Sequence, residues 1–224
     1  MADLPREAGR LAGAALGAVA RRRRGKPMHP RGAVFTAVLE RHGNRGWDVP
    51  WLEETATGAA VVRLSRGAGL PAPLPDLLGL AIRIPSAGDA PVDLLLTTTG
   101  RGPLSRLIPV PRRDTAAVYS SIMGYRSDAG TLRIAALPED DDVPSEPAPM
   151  AAEIERAGLY FALAAARGLG PWAPFGRLVV GEPAEPLDPR FDAVLNPPPG
   201  LVPDGPMARF RAPAYARARQ ARRG

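Results

Sequence analysis

The chain has 224 residues, 45% of them hydrophobic and 23% charged, which is enough apolar material for one domain with a sizeable core and too much for a disordered chain. It has no cysteine, which excludes disulfides, thiolate nucleophiles and cysteine metal sites, and its two histidines, His29 and His42, exclude a zinc centre built on several imidazoles. The net charge of +6 is gathered into two arginine-rich stretches, Arg21 to Arg24 and the cluster Arg209, Arg211, Arg217, Arg219, Arg222 and Arg223. These read as solvated tails or as contacts for an anionic surface, and no aromatic residue is interleaved with Arg21 to Arg24 as in a single-strand binder.

Residues 4–23 predict an alanine-rich helix, basic at its C-terminal end where cations favour the helix dipole. Its apolar stretch precedes the arginines, the reverse of a secretion signal, and no run approaches the roughly 18 apolar residues of a membrane span, so a cytoplasmic protein without a transmembrane segment is expected. Residues 32–41, GAVFTAVLER, read as a strand, followed by a turn at Gly43, Asn44 and Gly46. A second strand is expected over 58–65, GAAVVRLS, then a proline-broken loop over 67–76. Third and fourth strands follow at 77–84, LLGLAIRI, and 92–98, VDLLLTT, joined by a turn at Gly88 and Asp89. Residues 101–113 are irregular, and 114–122 predict a short helix with Asp114 as its N-cap. A strand over 130–137 leads into an acidic, proline-rich loop over 138–149. The runs 157–166 and 175–182, split by Gly168, Gly170 and Pro171, read as a hairpin. A loop over 186–206 and a basic helix from about 207 or 213 to 222 end the chain.

Six or more short strands with loop-rich connections point to a closed or nearly closed antiparallel barrel with flanking helices, an α+β fold that is mainly β. The expected organisation is an N-terminal helix over 1–26 and a barrel domain with a C-terminal helix over 27–224. No glycine-rich phosphate loop joins a strand to a helix, which argues against a nucleotide fold.

Three motifs then fall in an informative order: MHPRGAVF at 28–35, VVRLSRGAG at 61–69, and LLGLAIRI with VDLLLTT at 77–98. This succession resembles the core of the catalase-like haem-dependent superfamily, well over residues 27–137 and loosely beyond. The chain is shorter than classical catalases and resembles the small relatives of the superfamily. The resemblance implies a haem b cofactor. It puts His29 where the distal histidine stands, able to move a proton between the two oxygens of a bound peroxide. It matches Arg63 to the arginine that pairs with a haem propionate; an arginine within an apolar strand also calls for a partner on general grounds, unless it points outward. Thr97 and Thr98 fall where catalases carry an asparagine pair. Threonine offers a hydroxyl and no amide, so the departure favours peroxidase, peroxygenase or hydroperoxide-rearranging chemistry over true catalase activity. Tyr215 matches the tyrosinate that holds the iron, with Arg211 four residues before it, as in the family, and Arg219 four after. On a continuous helix the three would share one face, and the guanidinium charge would favour the tyrosinate; a helix starting at Pro213 leaves Arg211 outside it.

The reading is therefore a haem-dependent oxidoreductase acting on hydrogen peroxide or an organic hydroperoxide. The alternatives are a haem-free binding module of the same fold and, with nothing in the core to favour it, a partner of anionic surfaces or nucleic acid through the arginine tails. The sequence leaves oligomeric state open.

Overall fold

Period-two alternation runs through almost every strand and decides which side of the sheet becomes core. The computed structural model describes residues 31–86, 90–139, 142–184 and 189–205. The strands are β1 (Arg31–Arg41), β2 (Ala56–Arg66), β3 (Leu78–Ile84), β4 (Val92–Thr98), β5 (Tyr119–Ser120), β6 (Gly124–Ser127), β7 (Gly130–Pro138), β8 (Leu159–Arg167), β9 (Ala173–Pro183) and β10 (Val202–Asp204). Helix α1 (Pro50–Glu53) is a single turn, and α2 (Pro147–Ala157) precedes β8.

The sheet order is β10-β6-β7-β5-β4-β3-β2-β1-β9-β8, and β8 pairs back onto β7, so eight antiparallel strands close into a barrel with β6 and β10 as an extension of β7. Closure leaves no free edges on those eight strands. Phe35, Ala37 and Leu39 of β1 point inward with Ala60, Val62 and Leu64 of β2, Leu80 and Ile82 of β3, and Leu94 and Leu96 of β4. Leu132 and Ile134 of β7, Phe161 and Leu163 of β8, and Leu178 and Val180 of β9 fill the rest. Tyr119 stands edge-on to Phe161, with ring centroids 5.8 Å apart, and its hydroxyl donates to the Thr115 carbonyl at 2.9 Å.

One end of the barrel is tied by a buried arginine. Arg66 donates from Nε to the Leu70 carbonyl at 2.7 Å, from Nη2 to the Leu74 carbonyl at 2.5 Å and from Nη1 to Ser145 Oγ. The carboxylates of Asp76 and Glu146 lie 3.9 and 3.6 Å from its Nε. Glu146, immediately before α2, also pairs with Arg31 at 2.6 Å and accepts from the Ala72 backbone at 2.7 Å, which fixes the start of β1. Gly32 follows. A Cβ there would overlap the Leu64 carbonyl and stand 2.8 Å from Ser65 Cβ, so β1 approaches β2 here only because the side chain is absent.

The expected strands over 32–41, 58–65, 77–84, 92–98 and 130–137 and the expected hairpin are present within a few residues of their predicted bounds. The helix expected over 114–122 is not. Asp114 accepts from the Ala116 and Val143 backbones at 2.7 and 3.0 Å and shapes a turn, while Tyr119 and Ser120 pair with both β4 and β7. Closing the sheet overrides the local helical preference. The acidic loop is shorter than expected because α2 begins at Pro147. A proline in the first turn and buried Met150 and Ile154 spaced by four are its signature, and the buried stripe packs on β1 and β9. The expected loop over 186–206 includes the short strand β10. The helices expected over 4–23 and over 207–222 and the turn at Gly88 and Asp89 lie outside the described residues.

Inside and outside of the barrel are separable by mutation. Phe35→Ala empties part of the core and is expected to cost about 3–5 kcal/mol, whereas Val38→Ala, at an outward position 41% exposed, costs less than about 1 kcal/mol. Urea unfolding of both variants reads the difference, and equal losses would contradict the inward and outward assignment.

Candidate functional site on the outer face of β1 to β4

Because the odd-numbered positions of β2, β3 and β4 turn away from the core, register alone defines the outer face. Val34, Arg63, Ala81 and Leu95 form one row across the four strands. Ser65, Gly79 and Thr97 form the next, and this row continues through Ser120 of β5 to Ala135 of β7. The result is a shallow surface with a floor of small residues, Gly79 and Ala81. Arg63 stands on one side and Leu95 and Thr97 on the other, with Arg63, Ala81, Leu95 and Thr97 all half-buried.

A second pair of charges closes one end of this face. Arg83 donates to both carboxylate oxygens of Asp93, at 2.8 and 2.7 Å, in the bidentate geometry that suits a guanidinium. Asp93 also accepts from the Asp192 backbone and from Asn196 Nδ2, each at 2.8 Å, and its own N–H donates to the Asn196 carbonyl at 2.7 Å. Arg83 reaches the Arg190 carbonyl at 2.5 Å and lies over the Phe191 ring, 5.4 Å from its centroid. The hydrogen bonds and then the charge of Asp93 hold the Arg83 pKa above its ordinary value, against the opposing effect of burial. The segment 189–200 is thus clamped across β3 and β4. Sequence reasoning passed over this pair. Its signal was the appearance of an arginine and an aspartate in two neighbouring apolar strands.

The two threonines separate. Thr97 faces outward and its Oγ1 donates to the Leu78 carbonyl at 3.1 Å. Thr98 is fully buried on the inner side, opposite Tyr119, and its Oγ1 accepts from the Leu78 N–H at 3.1 Å. Neighbours on a strand point to opposite faces, so only Thr97 shares a surface with Arg63. His29, Arg211, Tyr215 and Arg219 lie outside the described residues.

Two solved structures share this architecture. One is a fungal catalase, with a TM-score of 0.63 and 12% identity, covering 90% of this chain and 61% of its own. The other is a bacterial catalase, with a TM-score of 0.61 and 12% identity, covering 93% of this chain and 60% of its own. The fold is catalase-like. No family model and no curated protein matches the sequence, and at this identity the likeness is one of fold. The chain spans about three fifths of the length of these two catalases.

The outer face of the catalase-like barrel is mostly small or apolar along these rows. Small and aliphatic side chains line it, and Arg63 supplies a cation. The described tyrosines do not offer an iron ligand there. Tyr119 and Tyr125 are fully buried in the core, and burial, followed by the nearby Asp114 charge, pushes the Tyr119 phenol far up, away from the tyrosinate form. Tyr160 belongs to β8, beneath the Arg177 guanidinium at 4.6 Å. Among the described residues no cluster of histidine, aspartate and glutamate can hold a metal ion, and no helix is long and apolar enough to cross a membrane. An open cleft of 280 Å³ lined by Asn44, Trp47 and Arg167 lies instead at the far end of β1, beyond Arg41.

Removing the buried carboxylate tests the clamp. Asp93→Ala strips Arg83 of its partner and is expected to cost about 3 kcal/mol. It should also speed proteolytic cleavage within 189–205. A variant with wild-type stability and wild-type cleavage would show that the pair does not hold the segment.

Proposed function

We propose that the chain is a haem-dependent oxidoreductase of catalase-related type, acting on hydrogen peroxide or an organic hydroperoxide as its small-molecule substrate. The observation that carries this reading is the half-apolar outer face of β1 to β4, floored by Gly79 and Ala81 and flanked by Arg63, on a catalase-like barrel. Haem bound there would supply a redox-active iron for cleavage of a peroxide O–O bond.

Each residue then has a defined task. Arg63 pairs with a propionate, a charge-assisted contact that also orients the ring. Tyr215 is the proposed iron ligand, and the guanidinium groups of Arg211 and Arg219 favour its phenolate. His29 precedes Arg31 by two residues, and Arg31 is pinned by Glu146 at the start of β1, beside the row of Ser65, Gly79 and Thr97. In this reading His29 takes a proton from one peroxide oxygen and returns it to the other. Thr97 lines the pocket with a hydroxyl already committed to the Leu78 carbonyl, which leaves it as an acceptor toward the substrate. Thr98 supports the strand from the inside. This division of labour favours peroxidase-type or rearranging chemistry over dismutation.

The same commitment of Thr97 favours a second reading, a haem-free module that uses the face only to bind. Haemin titration followed by the ultraviolet-visible spectrum separates the two. A sharp Soret band with a tyrosinate-type ferric pattern is expected in the wild type and its loss in Tyr215→Phe, with His29→Ala keeping the band and losing peroxide turnover. Arg63→Ala is expected to weaken haem binding by about 10- to 100-fold, the equivalent of one charged hydrogen bond. A broad free-haemin spectrum in the wild type would leave the binding module.

A further inference from the structure

The described part of the chain buries two arginines completely, and they are treated in opposite ways. Arg66 has three hydrogen-bond acceptors and two carboxylates around it. Arg106 is 1% exposed, and its Nη1 is buried with no acceptor. The side chain's single hydrogen bond to protein runs from Nε to the Gly102 carbonyl at 3.3 Å. Its guanidinium lies 4.1 Å above the centre of the Trp172 ring. That ring compensates part of the charge but presents Nη1 with no lone pair, and its own N–H is spent on the Arg101 carbonyl at 2.9 Å.

The described charge that acts on Arg106 has the same sign. Arg133 projects from the outer side of β7, half-buried, and its Nε donates to the Ile122 carbonyl at 3.4 Å. Burial lowers the pKa of both guanidinium groups, and the Arg133 charge lowers that of Arg106 further. Among the described residues no carboxylate lies within ion-pair distance of either. The backbone between them is a single linked unit. Ser120 Oγ donates to the Arg106 carbonyl at 2.7 Å and accepts from the Ile122 N–H at 3.3 Å. Ile122 itself has φ of 50°, an unfavourable conformation for a β-branched residue. Two like charges, one of them buried with an unused donor, are thus linked through Ser120 and the Ile122 backbone.

We propose that Arg106 and Arg133 form an oxyanion site on the outer face of β5 and β7, which takes the carboxylate or phosphate group of a small molecule. Guanidinium groups present forked donors that match both groups in bidentate fashion. The half-buried Arg133 forms the open edge, and the buried Arg106 forms the interior end, against Trp172. The site stands on these contacts alone and does not depend on haem.

Thermal unfolding of the full chain in rising inorganic phosphate, and separately in rising acetate, tests it, with ionic strength held constant by chloride. A saturating rise in Tm is expected with at least one of the two, roughly 5–10 °C at a hundredfold excess over Kd. A response to phosphate assigns a phosphoryl ligand and a response to acetate alone a carboxylate; either supports the site. Arg133→Gln, at a half-buried position, should fold and lose the response. Arg106→Met should also lose it while keeping or raising Tm in chloride alone, because it removes a buried charge that lacks its partner. No response, a rise that does not saturate, or the same rise in both variants would overturn the proposal, since phosphate also stabilises folded proteins without binding.

Discussion

The pairing of β7 with β8 is the constraint on which the rest depends. It turns a strip of strands into a closed wall, and a closed wall has an inside that must be filled. Large apolar side chains from every long strand meet there, so the outer face, with the residues in between, is where the candidate site lies. The site is therefore a by-product of register. Arg63 faces outward because Val62 and Leu64 face inward, and Gly79 and Ala81 make a floor because Leu78, Leu80 and Ile82 face the core.

That logic explains what was legible in the sequence. The strands from 32 to 98 announce themselves through alternation bounded by glycine and proline, and closure follows from their number and spacing. Arg63 could be singled out because a charge inside GAAVVRLS is conspicuous. The segment 114–122 could not be read correctly, because its local preference is helical and its strand pairing comes from β4 and β7, which are remote in sequence. The first residues of α2 were absorbed into an acidic loop because prolines at 147 and 149 masked the spacing of Met150 and Ile154. The split between Thr97 and Thr98 was latent in the alternation, yet motif comparison treats adjacent residues as a pair. Arg106 carries no signal in PLSRLIPV, since its burial is made by Trp172, which lies 66 positions further on by residue number.

Charge placement joins the two outer surfaces. They meet where Thr97 of β4 pairs with Ser120 of β5, and Ser120 is the residue that holds the Arg106 carbonyl. Along the outward positions from Val61 on β2 to Leu137 on β7, the strands carry Arg63, Arg83 and Arg133 and a single carboxylate, Asp93, which is already engaged with Arg83. A low-dielectric wall bearing several cations and no uncommitted acid concentrates anions at its surface. Neutral hydrogen peroxide gains nothing from such a field, whereas a molecule with an anionic group is drawn to the wall and held by one end. Under the proposed function, this charge pattern would favour a ligand with an anionic edge on the same continuous face that Arg63 and Thr97 occupy.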